Sequence, residues 1–396
     1  MSQPKFTILL PTKNRSFLVG GAIRSVLAQS FPDWELIVAD NDDTSATREV
    51  VEPFKDPRIK YLKTGGLSMP DNWEAAVRGA RGDFVLFLED KQALKRHALA
   101  RLAQVADGPL QPRCISWPYD VLDEEHRVPV VKRMIGSGRV TKVPARQLID
   151  LFVRCQRSAY LYLFPRGINS CVHREVLGRI RSGPVGRVCP PVTPDFNLAF
   201  QTLAFVEQIV HVEESLVVFG GMSHSNSRSF KLKRPLAAQF LKELGGDESI
   251  YFCHLPVKVP VLSLLLFNDY AFMRQRYPER FSDYPLDPVV LLEDSHTEIV
   301  ARRKLGVDMS HEQTAWDTAL AEQPTALAAE VRRRLATKPA ADLLQLGANY
   351  FVKAIRSTKF KDLDSYLAYD AVARVYYDPV WQAAHRLKRM LSRRRR

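Results

Sequence analysis

Residues 82–96 read GDFVLFLEDKQALKR, and this stretch decides the fold. Phe84, Val85, Leu86, Phe87 and Leu88 form a short unbroken apolar run, bounded upstream by Gly82 and downstream by charge. A run of that length without polar alternation predicts a strand covered on both faces, as in a parallel sheet flanked by helices. Its end is acidic. Ligands of open α/β sheets bind outside the carboxyl ends of the strands, so Glu89 and Asp90 are carried to where a nucleotide or a metal would sit. The same two acids also suit the capping of a helix beginning near Ala93.

Upstream the chain alternates strand and helix signals, the pattern of a mostly parallel sheet with helices on its faces. Lys5–Leu10 reads as a first strand, followed by the polar loop Pro11, Thr12, Lys13, Asn14 and Arg15. Val19, Ile23, Val26 and Leu27 then mark one face of a helix. Glu35–Ala39 is a second strand ending in Asp40, Asn41, Asp42 and Asp43; a short helix from Thr44 or Ser45 to Pro53 precedes a third strand at Ile59 and Tyr61. Ser68, Pro70 and Asp71 make a helix start with a cap, a first-turn proline and a favourable acid. Trp73, Ala76, Val77 and Ala80 are its buried stripe. A helix carrying Leu94, Ala98, Leu102 and Val105 closes a nucleotide-binding half of about residues 1–110.

The pattern from 111 to 228 is less regular, with a strand expected at Cys114–Trp117, a polar turn at Asp123–Arg127, a helix from Pro144, and a loop from Arg181 to Pro194 that leads to Asp195. A second helix then runs through Ala204, and Leu216–Phe219 reads as a strand. Residues 229–380 shift to a helical composition, an all-α appendage. Residues 381–396 form a basic tail holding seven of the thirteen excess positive charges. Such a tail suits anionic lipid head groups, RNA or plain solvation.

Composition excludes several classes. With 46% hydrophobic and 26% charged residues in 396, the chain is globular and not disordered. Its apolar segments are too short for a signal peptide or a membrane span, which predicts a cytoplasmic protein, peripheral at most at the inner membrane face. Five cysteines without paired spacing argue against a disulfide framework or a zinc site. The basic excess sits in one tail without an aromatic-basic strand motif, so nucleic-acid binding is a poor fit.

Three stretches, ILLPTKNRSFLVGGAIRSVLAQSFPDWELIVADND, LSMPDNWEAAVRGARGDFVLFLED and PDFNLAFQTLA, resemble the inverting family 2 glycosyltransferases in that order. The resemblance covers roughly residues 5–227. It implies a GT-A type nucleotide-diphospho-sugar transferase fold over 1–228, a nucleotide-diphosphate sugar donor, and inverting transfer to a hydroxyl of a carbohydrate, lipid-linked or protein acceptor. Polysaccharide, glycolipid or glycoprotein synthesis would use such a reaction.

In the family the residue matching Asp40 contacts the base, and the loop with Pro11, Thr12 and Asn14 lines the nucleoside pocket. Asp40 and Asp42 also suit a plain Asx turn. Asn72 is placed against the donor, and Trp73 in the core. Negative charge develops on the leaving diphosphate and must be stabilised, usually by a divalent cation on carboxylate oxygens. Family members carry D-x-D or D-D-D here, whereas this chain has Glu89, Asp90, Lys91 and Gln92. Either Asp90, helped by Glu89, holds Mg²⁺ or Mn²⁺, or Lys91 supplies the positive charge and the metal is weakened or lost. His224 is a further candidate at the diphosphate or metal. The resemblance implies Asp195 as general base, and a helix N-terminus would keep it ionised; a plain N-cap is the competing role. Asp40, Asp90 and Asp195 are thus expected to face one cleft. The altered acidic motif keeps open a second function, a catalytically silent domain that binds a nucleotide sugar or a protein partner.

Overall fold

The structure, a computed structural model, describes residues 3–123, 130–134, 136–243, 251–337 and 357–359. The basic tail and most of the expected turn after Asp123 lie outside these residues.

The expected alternation is present. β1 (Phe6–Thr12), α1 (Ser16–Leu27), β2 (Trp34–Asp40), α2 (Ala46–Val51), β3 (Ile59–Lys63), α3 (Met69–Arg78) and β4 (Phe84–Phe87) follow in order. β1, β2 and β4 are buried at every position, as unbroken apolar runs require. β1 lies between β2 and β4, all parallel, with Phe6 opposite both Trp34 and Phe84 and Thr12 opposite Asp40. α3 starts where the sequence predicts, with the Asp71 amide donating to Ser68 Oγ at 3.4 Å.

The chain continues through β5 (Gln92–Leu94), α4 (Ala98–Ala106), β6 (Cys114–Ser116), β7 (Tyr119–Asp123), β8 (Val130–Lys132) and β9 (Val140–Pro144). Then come α5 (Ala145–Val153), α6 (Arg157–Leu163), β10 (Ser170–His173), α7 (Arg174–Arg181), α8 (Pro194–Phe205), β11 (Gln208–Val212) and β12 (Val217–Phe219). The main sheet has the order β3-β2-β1-β4-β10-β6-β11-β9. Only β10 and β9 run against the rest, so the sheet is mostly parallel. β5, β7, β8 and β12 form a second sheet beside it.

Leu94 does not belong to the helix expected from it, nor does a helix start near Ala93. Gln92–Leu94 pairs antiparallel with β12, and α4 begins only at Ala98. Glu89 and Asp90 therefore cap no helix there.

The last third is mainly helical: α9 (Asn226–Lys231), α10 (Pro235–Glu243), α11 (Leu262–Arg276), α12 (Pro278–Phe281), α13 (Pro288–Arg303), α14 (Ser310–Ala321) and a helix over 325–337. It is not wholly so, because β13 (Ser357–Lys359) adds to β8 in the second sheet. Packing is continuous across the expected boundary at 228/229. Phe152 of α5 meets Phe267 and Tyr270 of α11 at ring-centroid distances of 4.9 and 5.5 Å, and Phe200 of α8 meets Tyr270 at 5.4 Å. Aromatic contacts of this kind place α8 and α11 in one core.

Gly82 admits no side chain. A Cβ there would lie 2.5 Å from the Thr7 amide nitrogen, and the Gly82 amide donates to Thr7 Oγ1 at 2.8 Å. This close approach brings β4 into register beside β1. Gly82→Ala is expected to cost about 1–3 kcal/mol of overpacking, read as a lower urea midpoint at unchanged slope; an unchanged midpoint would show that the two strands separate freely.

Candidate active site

Two adjoining cavities open at the carboxyl ends of the parallel strands. The smaller, about 310 Å³, is lined by Pro11, Thr12, Asn14, Asn41 and Asn72 from the strand-end loops. Leu236, Gln239, Phe240 and Glu243 of α10 form its opposite wall. The larger, about 440 Å³, holds Glu89, Lys91, Arg166 and Asp195, and Pro11, Arg15, Met69, Trp73 and Asn226 border both. The rings of Trp73 and Phe87 stack at 4.5 Å, so Trp73 is a core residue whose edge also reaches the cavities.

The smaller cavity is built from polar groups that brace one another. Asn14 takes a left-handed conformation, φ 54°, which asparagine tolerates better than most residues. Its amide donates to Asp42, and its side-chain nitrogen to Asp43 Oδ2 at 3.0 Å. Asn41 exchanges hydrogen bonds with the Leu67 backbone at 2.7 and 2.9 Å. Asn72 donates to the Thr12 and Ala39 carbonyls and accepts from Thr64 Oγ1 at 2.7 Å. The walls are therefore preorganised by β1, β2 and the loop before α3.

Asp40 does not reach either cavity. Its Oδ1 accepts from the Asp42 amide at 2.8 Å, an Asx turn, while its Oδ2 accepts from Tyr61 Oη and from Lys63 Nζ at 3.2 Å. The carboxylate is fully buried towards β3, and its neighbour Asn41 lines the cavity instead. Asp40 is the last residue of β2, and Asn41 begins the loop at the sheet's carboxyl edge, where the cavity opens.

Asp90 also lies behind the wall rather than in it. Thr12 Oγ1 donates to its Oδ2 at 2.8 Å, and Arg15 Nε pairs with the same oxygen at 3.1 Å. Burial raises its pKa, an effect opposed by Arg15 and Thr12. Glu89 and Lys91, on either side, face the larger cavity and pair with each other at 3.4 Å. Gly221, at φ +59°, lets the turn after β12 pass over Lys91, where a Cβ would lie 2.7 Å from the lysine's own.

A hard divalent cation needs several anionic or neutral oxygens. Here one oxygen of Asp90 is taken by a guanidinium, the next side chain is an ammonium, and only Oδ1 of Asp90 lacks a partner. His224 lines the smaller cavity with its ring edge-on to Phe17 at 5.0 Å. Among the described residues no three His, Cys, Asp or Glu side chains group to hold a metal ion. Asp90 and His224 by themselves therefore make a poor donor set for Mg²⁺ or Mn²⁺, ions held by one or two free carboxylates besides phosphate and water oxygens.

Asp195 stands at the start of α8, inside the larger cavity. The helix N-terminus was expected to lower its pKa, yet the net shift is upward. Burial raises it most, Arg166 opposes, Glu89 adds to the rise, and the amides of Phe196 and Asp195 itself only partly offset it. Asp195 is thus a stronger base than an ordinary exposed carboxylate.

The residues 192–197 around Asp195 are held by a side chain outside the expected catalytic domain. Asp269 of α11 accepts from the Val192 amide at 3.2 Å, the Thr193 amide at 2.8 Å, Thr193 Oγ1 at 2.5 Å and Asn197 Nδ2 at 2.8 Å. Neither Asp269 nor Arg166 carries a pattern that sequence reading finds; Arg15 stands in the first strand-end loop, where a cation facing phosphates is a usable signal.

Residues 7–151 match the profile of Glycosyl transferase family 2. This segment belongs to that family. The chain is 36% identical over 108 residues to a GalNAc(5)-diNAcBac-PP-undecaprenol β-1,3-glucosyltransferase of Campylobacter jejuni, covering 26% of this chain and 35% of that protein. It thus spans about a third of that relative's length. It is 32% identical over 188 residues to a putative colanic acid biosynthesis glycosyl transferase, WcaA, of Escherichia coli, covering 39% of this chain and 66% of the other. Among solved structures, S. aureus TarS 1–349 in complex with UDP-GlcNAc aligns over 81% of this chain and 93% of that one at 16% identity, with a TM-score of 0.48.

Asp269 makes a pH-dependent contribution with a definite sign. Burial pushes its pKa up to about 6, its four donors offsetting only part of that. The folded carboxyl keeps its proton up to about pH 6 and the unfolded one only to about pH 4, so the stability it contributes is full below the lower value and lost as pH rises through the upper one. In urea unfolding at pH 4.5 and 7.5, the advantage of wild type over Asp269→Asn is expected to shrink at the higher pH. An advantage that grows instead would mean the four donors outweigh burial.

Proposed function

We propose that this chain is an inverting glycosyltransferase that moves a sugar from a nucleotide-diphosphate donor to a hydroxyl acceptor. One observation carries the reading: within the family 2 architecture, Asp195 shares a cavity with the strand-end residues Glu89 and Lys91 and with Arg15, and that cavity adjoins a smaller polar one. The smaller cavity suits a nucleoside, with Asn14, Asn41 and the backbone of Pro11 and Thr12 around it. The diphosphate then crosses the border at Arg15, and the sugar lies between Lys91 and Asp195.

In a single displacement the acceptor oxygen bonds to the anomeric carbon as the bond to the diphosphate breaks, and Asp195 takes the acceptor's proton. Charge accumulating on the leaving diphosphate is met by Arg15, which Asp90 and Thr12 hold in place, and by Lys91. These two cations take the part that a divalent ion plays where the acidic motif is complete.

The acceptor is a glycan on a lipid carrier, a reading supported by the Campylobacter relative, whose name specifies an undecaprenol-linked substrate. No helix among the described residues is long and apolar enough to cross a membrane.

The test is to screen UDP- and GDP-sugars for binding and hydrolysis, with and without EDTA. Wild type is expected to bind one of them and turn it over unchanged by EDTA. Asp195→Asn should lose about 10²–10⁴ in turnover while binding the nucleotide diphosphate within about two-fold, as expected of a group that acts on the acceptor proton. Because its pKa is raised and the base works ionised, the acid limb of the rate profile should lie above the usual carboxylate range and vanish in the variant. Binding without turnover by wild type would instead identify a silent nucleotide-sugar domain.

A further inference from the structure

We infer that the larger cavity contains a second anion site, built on Arg166, for an acidic group carried by the transferred sugar or by the acceptor next to its reacting hydroxyl. The inference rests on the glycosyltransferase reading and adds a substrate class to it. Arg166 follows α6 and is only 7% exposed, yet it lines the cavity that holds Asp195. Its Nη2 donates to Tyr119 Oη at 3.0 Å, and its guanidinium lies 5.3 and 5.5 Å from the Tyr119 and Phe196 rings. Its Nε is buried without a partner.

Three of the other cations lining this cavity are paired with carboxylates. Arg15 pairs with Asp90 at 3.1 Å, Lys91 with Glu89 at 3.4 Å, and Arg157 with Asp294 at 2.5 Å. Among the described residues no carboxylate lies within ion-pair distance of Arg166. A buried guanidinium whose single hydrogen bond runs to a neutral phenol is costly, because charge removed from water needs an opposite charge or a full set of acceptors. A ligand anion supplies both. The planar fork of arginine matches the oxygens of a carboxylate or a phosphate two at a time.

Position separates this anion from the donor's diphosphate. Arg15 borders both cavities, where a group linking nucleoside to sugar must pass; Arg166 lines only the larger one, on the side of Asp195. An anion at Arg166 is therefore close to the anomeric carbon and the acceptor hydroxyl. A uronic acid donor or an acceptor phosphate meets that description. Arg166 as a mere counterweight to Asp195 and Glu89 is the competing account, and it predicts no ligand selectivity.

The experiment uses the full chain and calorimetric titration of wild type, Arg166→Gln and Arg166→Lys. The probes are UDP and GDP, UDP-glucose against UDP-glucuronate, and glucose against glucose 1-phosphate with the nucleotide diphosphate saturating. Wild type should bind one acidic probe about ten-fold or more tightly than its neutral counterpart, as expected of a charge-assisted fork. Arg166→Gln should lose that preference, Arg166→Lys should keep part of it, and both should bind the nucleotide diphosphate within about two-fold of wild type. Preference for UDP-glucuronate places the acid on the sugar, and preference for glucose 1-phosphate places it on the acceptor. Melting temperatures of the variants at or above wild type will exclude misfolding, since an unpaired buried charge is removed or relaxed. Equal affinity of wild type for acidic and neutral probes overturns the proposal. So does a loss of UDP or GDP affinity in Arg166→Gln as large as that in Arg15→Ala, which would make Arg166 a diphosphate contact. If wild type binds no nucleotide, the glycosyltransferase reading fails, and the comparison of glucose with glucose 1-phosphate alone still decides the anion site.

Discussion

The site depends on one buried carboxylate finding its donors. Asp90 leaves β4 where the sheet ends, and its Oδ2 is met by Thr12 from β1 and Arg15 from the turn into α1. A charge in that position is tolerable only when paired. The pairing has a geometric consequence: it fixes a guanidinium at the boundary of two cavities. Three consecutive residues then divide the labour, Glu89 and Lys91 facing the cavity and Asp90 bracing the cation behind it. Without Gly82 to bring β4 against β1, Asp90 and Thr12 would not meet.

The helical last third is part of the same device. α10 walls the smaller cavity, and Lys13 of the first strand-end loop pairs with Glu243 of α10 at 3.0 Å. α11 supplies Asp269, whose hydrogen bonds order the entry to α8. The aromatic packing of Phe267 and Tyr270 against Phe152 and Phe200 gives that contact a rigid base. A region whose composition discloses no purpose thus shapes one cavity and steadies the carboxylate in the other. This is why its helices share a core with the family 2 segment instead of standing apart from it.

What was legible in the sequence was local. β1, β2 and β4 are unbroken apolar runs, and α3 announces itself through Ser68, Pro70 and Asp71; short-range physics determines them. β5 defeated the same reasoning, because Gln92–Leu94 is apolar enough to pass for a helix start and becomes a strand only through pairing with β12, distant in sequence. β9, β10 and β11 are short and paired with remote strands, so periodicity alone does not reveal them. Among site residues, the loop at Pro11–Asn14 and the strand end at Glu89–Lys91 came from position at the sheet's edge. Asp40 failed by one residue, since Tyr61, Lys63 and the Asp42 amide hold its carboxylate away from the cavity and Asn41, in the loop just beyond β2, lines it instead. The direction of the Asp195 shift failed for a different reason: a helix N-terminus is visible in sequence, whereas the burial that outweighs it is a property of the assembled walls.

The charges in the larger cavity make sense as a set. Two carboxylates, Asp195 and Glu89, face a space that also holds Arg166, and Glu89 raises the cost of ionising Asp195 while the guanidinium lowers it. A base benefits from such a balance, because burial and Glu89 push its pKa up while Arg166 opposes them. Arg166 is held on Tyr119, beyond ion-pair distance of Asp195, so that opposition is partial. On the proposal that Arg166 takes a ligand anion, its two roles are coupled: an anion there would offset the charge by which Arg166 lowers the pKa of Asp195 and make that carboxylate a better base when the substrate arrives.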